Sequence, residues 1–420
     1  MLAVLSKNGA FITQDENEAD VIVVNTCSFI SDAKEESIQT IIELGELKKT
    51  GNLKTLVVTG CLAQRYANEI LETLPEVDVI LGVDVIDGIF EAIKAAGDEK
   101  IVLTPEAATL PDISNGRVVT TGGHYAHLKI SEGCNKRCTY CAIPGFRGSY
   151  RSIPMEQLEK EARELALNGV KELILVAQET TVYGMDIYGK KSLPGLVKKL
   201  SEIPGIEWIR LLYCYPEEID EGFINMMATN KKVCHYIDMP IQHCSDDILH
   251  KMARRTNKAE LIEKIKLLRE RIPDICIRTT LIAGFPGEKK RHHKEALEFI
   301  KEIKFDRLGA FAYSREEGTV AASFNGQIPA FIKNKRRDAL MQAQQDVIFE
   351  KNPSFIGKTM TAFVEGYLPK ERVYAARTYR DAPEVDGLLF ISSDKELMSG
   401  DFVTVKITEA NGYDLIGELV

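Results

Sequence analysis

Three cysteines, Cys134, Cys138 and Cys141, are the residues whose type and spacing point most directly to chemistry. They lie in "SEGCNKRCTYCAIPGFRG", four and then three residues apart, with glycine, proline and arginine around them. Three thiolates can hold a [4Fe–4S] cluster while one iron stays open to a substrate or cofactor. A structural zinc site would need a fourth ligand from elsewhere, such as His127. Plain buried cysteines are the third alternative.

The composition bounds the setting of this chemistry. The 420 residues are 45% apolar and 27% charged, and the net charge of -9 argues against broad, non-specific binding to nucleic acid. The sequence contains no apolar run of about 18 residues, so no membrane span is predicted. The N-terminus lacks the features of a signal peptide. Nine cysteines without an export signal indicate reduced thiols or metal ligands. We therefore expect a cytoplasmic protein, and nothing in the sequence requires more than a monomer.

Three predicted domains position the cysteines. Residues 1–111 alternate short apolar runs with helical patterns, which predicts a small parallel sheet with helices on its faces. Residues 120–353 contain six strand-like runs separated by helical patterns. They predict a partial (β/α)6 barrel with its chemistry at the carboxyl ends of the strands, and a doubly wound sheet is the alternative. Residues 355–420 predict a small antiparallel barrel of about five strands.

The cysteine loop after the first strand of the β/α array resembles the signature of radical S-adenosylmethionine enzymes. That resemblance implies a [4Fe–4S] cluster on the three cysteines, with the open iron binding the amino and carboxylate groups of S-adenosylmethionine. It implies cleavage of the sulfonium to a 5′-deoxyadenosyl radical, which abstracts hydrogen from unreactive carbon. It also places Tyr140 beside the cluster, near the adenine.

Other strand ends supply further candidates for contact with S-adenosylmethionine. "AGFPGE" follows the fifth barrel run, and its Gly284 and Gly287 could approach the adenosine through their backbone. Arg278, in the same run, is a candidate partner for the methionine carboxylate. An ordinary strand-to-helix turn explains both glycines equally well. For His243 in "PIQHCSD", the pattern favours a hydrogen-bonded polar residue of the barrel over a site residue.

Two further cysteines follow apolar strands of the first domain directly. Cys27 ends "VIVVNTC" and Cys61 ends "TLVVTGC", and ligands bind at the carboxyl edge of a parallel sheet. A single cysteine at such a place is more often a small buried apolar residue. Two at equivalent strand ends favour metal ligands.

The three domains together resemble the methylthiotransferases over essentially the whole chain. That family combines a flavodoxin-like α/β domain, a radical S-adenosylmethionine barrel and a C-terminal barrel of the TRAM type. Its N-terminal domain holds a second [4Fe–4S] cluster that delivers sulfur, so the resemblance assigns Cys27 and Cys61 to that cluster. The family's third cysteine follows an opening strand, and this chain begins inside what should be the first helix. We therefore expect the strand and its cysteine to be absent, the sheet to have a gap, and the second cluster to be incomplete.

Two substrates dominate that family. One branch modifies an adenosine of tRNA, and the RimO branch methylthiolates the β-carbon of an aspartate in small-subunit ribosomal protein S-twelve. The segments "ILVAQETTVYGMDIYG", "LGAFAYSREEGT" and "RTYRDAPEVDG" resemble the RimO branch. Residues 356–420 contain seven Lys/Arg and eleven Asp/Glu, and an acidic barrel suits a basic protein better than tRNA. Its candidate contacts are the exposed carboxylates among Glu365, Asp381, Glu384, Asp386 and Glu409.

The predicted reaction needs partners, and a different class of function remains as an alternative. Radical methylthiolation requires an electron donor and a sulfur donor in addition to the ribosomal protein. The alternative from another class is a non-catalytic module that binds RNA or the ribosome and whose cysteines hold zinc.

Overall fold

The computed structural model describes residues 1–97, 99–110, 112 and 115–420. Pro111, at which the sequence analysis ends the first domain, lies outside these residues. The described chain divides into two compact units. The first consists of Met1–Val118, Glu132–Arg151 and Ser314–Ser323, and the second of Val119–Ser131, Ser152–Tyr313 and Phe324–Val420. The cysteine loop therefore belongs to the same unit as the amino-terminal sheet.

The amino-terminal part of the first unit alternates strands and helices, as predicted. Its elements are α1 (Leu2–Lys7), β1 (Val21–Thr26), α2 (Ser31–Gly45), α3 (Leu47–Thr50), β2 (Thr55–Gly60), α4 (Cys61–Arg65), α5 (Ala67–Thr73), β3 (Val79–Leu81), α6 (Ile89–Ala95) and β4 (Ile101–Leu103).

Apolar side chains cover both faces of this sheet. Ile41 of α2 and Ile70 of α5 pack on one face with Leu56 of β2. Val4 of α1 and Ile89 of α6 belong to the apolar cluster that includes alternate residues of β2 and β3. Buried on both faces, the strands need the nearly continuous apolar runs from which they were predicted.

The expected gap in this sheet is wrong. The described strands pair in the order β1-β2-β3-β4, all parallel, and β1 pairs with β2 over six residues from Val21↔Thr55 to Thr26↔Gly60. Unpaired backbone groups inside a buried sheet cost free energy, and the direct pairing of β1 with β2 avoids that cost.

The middle of the chain carries the second β/α array. Its elements are β5 (Tyr125–Lys129), β6 (Ser131–Glu132), α7 (Ile143–Arg147), β7 (Arg151–Ser152), α8 (Met155–Leu167), β8 (Glu172–Val176), α9 (Met185–Tyr188), α10 (Leu193–Ser201), β9 (Trp208–Leu211), α11 (Glu221–Thr229), β10 (Val233–Asp238), α12 (Asp246–Lys251), α13 (Lys258–Arg271), β11 (Cys276–Ala283), α14 (Lys290–Ile303), β12 (Arg307–Ala312) and α15 (Ala330–Lys351). Short 3₁₀ turns cover Pro216–Glu218, Val320–Ser323 and Asn352–Phe355.

Each of the six predicted barrel runs contains a strand of one parallel sheet. The described strands follow one another in the order β5-β8-β9-β10-β11-β12. This sequential order confirms the partial (β/α)6 barrel. Local signals set the helix limits: Asn257 and Glu260 form a reciprocal capping box at the start of α13. Among the described residues, no helix combines the length and the apolar character needed to cross a membrane.

The C-terminal residues form the predicted small barrel. Its strands are β13 (Thr359–Leu368), β14 (Val373–Thr378), β15 (Leu389–Ser392), β16 (Phe402–Asn411) and β17 (Asp414–Leu419). In the described chain they close in the order β13-β14-β15-β17-β16. One pairing differs from the antiparallel expectation, because β17 lies parallel to β15. The long connection after β15 lets β16 pair with β13 first, and β17 then returns between β16 and β15.

Buried ion pairs join this small barrel to the amino ends of the six-stranded sheet. Glu172, the first residue of β8, has no solvent exposure and accepts hydrogen bonds from Arg210 Nε and Arg377 Nη2, both at 2.7 Å. Burial alone would raise the pKa of Glu172, but Arg210 and Arg377 together hold it below its usual value. A carboxylate that matches two arginines, one from each barrel, fixes the two relative to each other.

Most of the acidic residues proposed as contacts for a basic protein belong to this buried layer, so that prediction is wrong for them. Asp381 pairs with Arg307, and Glu365 pairs with Arg377 and His124. Asp386 is the third residue of this kind. It accepts a hydrogen bond from the Tyr236 hydroxyl at 2.7 Å, and it lies 3.7 Å from Arg278. Glu384 is exposed and accepts from the Tyr125 hydroxyl, and Glu409 is exposed. Counting charges along a sequence does not distinguish inward from outward carboxylates.

Replacing Glu172 by Gln should strongly destabilise the second unit, because two buried arginines then lose their shared carboxylate. We expect a loss of roughly 3–5 kcal/mol, measured as a lower urea midpoint by circular dichroism. The control is Glu409→Gln on an exposed position of β16, which should change stability by less than about 0.5 kcal/mol. Equal midpoints for the two variants would contradict the role given to Glu172.

Candidate active site

The cysteine loop, residues 132–151, is closed at its base by its own backbone. The N–H of Cys134 donates to the carbonyl oxygen of Gly148 at 3.2 Å. Gly133 has a φ of +74°, and a Cβ at this position would lie 2.2 Å from the carbonyl oxygen of Ser149. Only glycine fits this close approach of two backbone segments, which explains the glycine directly before the first cysteine.

The structure brings the three loop cysteines near one another. Cys134 and Cys138 are each 7% exposed, and Cys141 is half-buried. Burial raises the pKa of Cys141 to about 12, and the charges of Cys138 and Cys134 add to this rise. A hydrogen bond to the backbone of Ile143 acts in the opposite direction. Such a thiol stays protonated at neutral pH unless a bound cation favours its thiolate, as iron does. The donor set therefore fits an iron–sulfur cluster.

In the part of the chain that the structure describes, no group of three or more His, Cys, Asp or Glu side chains is placed to hold a single metal ion. The three cysteines of a [4Fe–4S] cluster bind three different irons, so they lie farther apart than the ligands of one ion. Tyr140 lies between Cys138 and Cys141 and is half-buried, and its contact with the adenine stays a prediction.

Cys27 and Cys61 lie side by side at the carboxyl edge of the first sheet. They directly follow Thr26 and Gly60, which are paired residues of neighbouring strands. Burial raises the pKa of the Cys61 thiol; Arg147 lowers it in part, and the neighbouring Cys27 raises it again. Beside Cys27, the fully buried hydroxyl of Ser28 has no hydrogen-bond partner among the described residues. A buried hydroxyl without a partner needs an explanation, and an additional bound group is one.

Arg147 connects the cysteine loop to Cys61 within the first unit. Its Nη2 donates to the sulfur of Cys61 at 3.0 Å. Its Nη1 donates to both carboxylate oxygens of Glu132, at 3.1 and 2.9 Å. Glu132 is 4% exposed and lies two residues before Cys134. The rigid fork of one guanidinium thus spans the base of the loop and the second cysteine site.

Residues 314–323 are held to the same sheet edge by Glu316. Its side chain is 2% exposed and pairs with Lys34 at 2.7 Å and Arg65 at 3.2 Å. Burial would raise the pKa of Glu316, but Lys34, with Ser314 and Arg65, holds it below its usual value. These ion pairs give the "SREEGT" segment a structural role at this sheet edge.

In the second unit, the glycines after β11 form a turn. Gly284 and Gly287 have φ values of +74° and +82°, and the N–H of Gly284 donates to Glu288 at 2.6 Å. The turn by itself explains both glycines, so their contact with adenosine stays a prediction. His243 is buried, and its Nδ1 accepts from the N–H of Ser245 at 2.9 Å. Burial lowers the pKa of His243 to about 3, which makes it the neutral, hydrogen-bonded residue that the pattern favoured.

Arg278 does not lie at a strand end. It is the third residue of β11, six positions before Gly284, which is about 20 Å along a strand. Its Nη1 donates to Asp238 at 2.9 Å, and its Nε lies 3.7 Å from Asp386. Arg278 and the strand-end glycines share one apolar run, so the sequence pattern predicts the same strand end for both. The structure instead gives it two carboxylate partners at the amino half of the strand.

Comparison with known families adds three matches in chain order. The model of the uncharacterized protein family UPF0004 matches residues 1–82, that of the radical SAM superfamily matches residues 128–300, and that of the TRAM domain matches residues 356–420. The second of these contains the cysteine loop and most of the six-stranded sheet.

Relatives match the chain almost from end to end. The ribosomal protein uS12 methylthiotransferase RimO of Lachnoclostridium phytofermentans is 53% identical over 99% of this chain and 95% of its own length. The protein of the same name from Clostridium tetani is 48% identical over 99% of this chain and 93% of its length. This chain belongs to the RimO methylthiotransferase family. A radical S-adenosylmethionine methyltransferase, TsrM from Kitasatospora setae, shares the fold at 15% identity and a TM-score of 0.50, over 69% of this chain and 61% of that one.

Sequence reasoning missed the charged residues that support the RimO-family cysteines. Glu132 lies two residues before Cys134, and Arg147 lies six residues after Cys141. A carboxylate and an arginine flanking a cysteine loop are a detectable signal for an ion pair that closes the loop. The contact of Arg147 with Cys61 leaves no such signal, because 86 residues separate the two.

Replacing Arg147 by Gln should destabilise the iron-free protein, because the buried carboxylate of Glu132 then loses its arginine. We expect a loss of roughly 3 kcal/mol, seen as a lower thermal midpoint, and less iron retained after reconstitution. Arg147→Lys should be intermediate, since one ammonium cannot match the fork geometry toward two partners. Arg137→Gln, at an exposed position of the same loop, is the control. A thermal midpoint and iron content that match those of Arg137→Gln would contradict this role.

Proposed function

We propose that this chain methylthiolates the β-carbon of an aspartate in ribosomal protein uS12 by radical S-adenosylmethionine chemistry. The observation that carries the proposal is the joint contact of Arg147 with Glu132 and Cys61. It connects a loop suited to the radical cluster with a second pair of cysteines suited to a sulfur-bearing cluster. Membership in the RimO family supports the same substrate.

The residues of the chain divide this work among themselves. Cys134, Cys138 and Cys141 would hold the radical cluster, which when bound supplies the electron that cleaves S-adenosylmethionine to a 5′-deoxyadenosyl radical. Glu132 and Arg147 fix the loop that carries these cysteines. Burial of Cys134 and Cys138 keeps water from this centre, which protects a reactive radical from side reactions.

Cys27 and Cys61 would serve the second cluster. Their place at paired strand ends and the orphaned Ser28 hydroxyl beside them support such a site. Two cysteines hold a [4Fe–4S] cluster less firmly than three, so this site can be empty or loaded after reconstitution. Iron analysis after reconstitution distinguishes the two states, because one cluster gives about four irons per chain and two give about eight.

The exposed charge of the C-terminal barrel still favours a basic protein over tRNA. The buried layer takes up two of its seven basic residues, Arg377 and Arg380. It also takes up three of its eleven acidic residues, Glu365, Asp381 and Asp386. The remaining surface is acidic, and phosphate neutralisation by a tRNA-binding surface requires the opposite sign. We therefore propose a cytoplasmic monomer that acts on uS12 with an external electron donor and sulfur donor.

Mass spectrometry tests the proposed reaction directly. The reconstituted protein, with dithionite, sulfide as the sulfur donor and S-adenosylmethionine under anaerobic conditions, should add a methylthio group to one aspartate of purified uS12 and leave tRNA unchanged. Cys134→Ala, Cys138→Ala and Cys141→Ala should each abolish 5′-deoxyadenosine formation as well as the product. Methylthiolated tRNA with unmodified uS12 would assign the chain to the tRNA reaction, and zinc without iron in the purified protein would favour a binding module.

Reversing exposed carboxylates of the C-terminal barrel should weaken binding of uS12. Asp394, Glu396 and Glu409 are exposed, and their joint replacement by Lys should lower affinity, most strongly at low salt where screening is least. The control replaces Glu263 and Glu270, exposed residues of α13, by Lys. Equal loss in both variants would show that only net charge matters and that the barrel surface is not the contact.

A further inference from the structure

Tyr213 has an unusual backbone conformation at the end of a barrel strand. It lies two residues after β9, and its φ is +59°. Residues with positive φ are mostly glycine, asparagine or aspartate, and a bulky aromatic residue there is an outlier. Strained conformations of this kind cost about 1–3 kcal/mol and cluster at functional sites.

The neighbouring strands hold the Tyr213 backbone in place. Its N–H donates to Asp238 Oδ2 at 3.1 Å, and its carbonyl oxygen accepts from the N–H of Thr180 at 3.1 Å. Asp238 is 1% exposed and its other carboxylate oxygen accepts from Arg278 at 2.9 Å. Arg278 in turn lies beside Asp386 of the C-terminal barrel. Asp238 and Arg278 are therefore positioning residues for Tyr213.

Packing does not explain this arrangement. Tyr213 is 46% exposed, and none of the described residues is hydrogen-bonded to its hydroxyl. The other described non-glycine residues with positive φ have no aromatic ring; they are Gln242, Ala253, Lys304, Arg372 and Glu384. Tyr213 instead presents a large aromatic ring at the carboxyl end of a barrel strand, where substrates of such barrels bind.

We propose that Tyr213 is a substrate-contact residue whose ring binds the basic polypeptide around the target aspartate. This inference rests on the proposed function. An exposed ring on a fixed backbone offers a large contact area at little entropic cost, as tyrosine does at interfaces. Its π face attracts Lys and Arg side chains, which a basic ribosomal protein supplies. A fixed ring therefore adds selectivity that the acidic surface alone does not give.

Binding of fluorescently labelled uS12 to the iron-free protein tests this without any turnover. Tyr213→Gly should raise the Kd about tenfold, as for other truncated aromatic contacts, although glycine is the residue best suited to a φ of +59°. Tyr213→Phe should stay within about twofold of the wild type, since it keeps the ring. Tyr213→Leu keeps an apolar side chain without the π face and should also bind more weakly. Lys304→Gly, a left-handed position at the end of α14 and outside the C-terminal barrel, is the matched control and should bind normally.

The outcomes separate this inference from the proposed function. If the wild type binds uS12 and Tyr213→Gly binds equally well, the substrate contact is excluded and the proposed function stands. A Leu variant that binds uS12 as tightly as the Phe variant excludes the cation–π contact. This comparison holds even if the Gly variant is less stable than the wild type. If the wild type itself does not bind uS12, the proposed function fails and this inference fails with it.

Discussion

The carboxylate of Glu172, shared by Arg210 and Arg377, is the interaction on which the second unit depends. An open six-stranded sheet leaves polar and charged side chains at the amino ends of its strands, and burying them costs free energy unless each charge is matched. The C-terminal barrel supplies the matching groups. Its contribution is therefore structural first, and its exposed acidic face is available for a partner.

The buried ion pairs between the two barrels continue toward the carboxyl end of strand β9. Asp386 lies beside Arg278, Arg278 pairs with Asp238, and Asp238 accepts from the backbone of Tyr213. A chain of hydrogen bonds and ion pairs thus joins the small barrel to a strand end. In the first unit, Arg147 has a comparable function, because one guanidinium joins the base of the cysteine loop to Cys61.

The sequence was sufficient for the fold because apolar periodicity determines which face of each element is buried. All six runs of the barrel and a C-terminal barrel of about five strands were predicted from such patterns. Strand pairing was harder to predict from the sequence than the strands themselves. A gap was expected in the first sheet, but β1 pairs directly with β2. The sequence also placed Asp381 and Asp386 at the surface and Arg278 at a strand end. Their partners are distant in sequence, so no local pattern reveals that they face inward.

The most direct measurement of the central claim uses uS12 carrying aspartate deuterated at the β-carbon. If this chain generates a radical that abstracts hydrogen from that carbon, 5′-deoxyadenosine isolated after a single turnover should contain one deuterium, and methylthiolated uS12 should contain one fewer. Formation of 5′-deoxyadenosine without deuterium, while uS12 becomes methylthiolated, would contradict abstraction from the aspartate β-carbon and with it the reaction assigned to this chain.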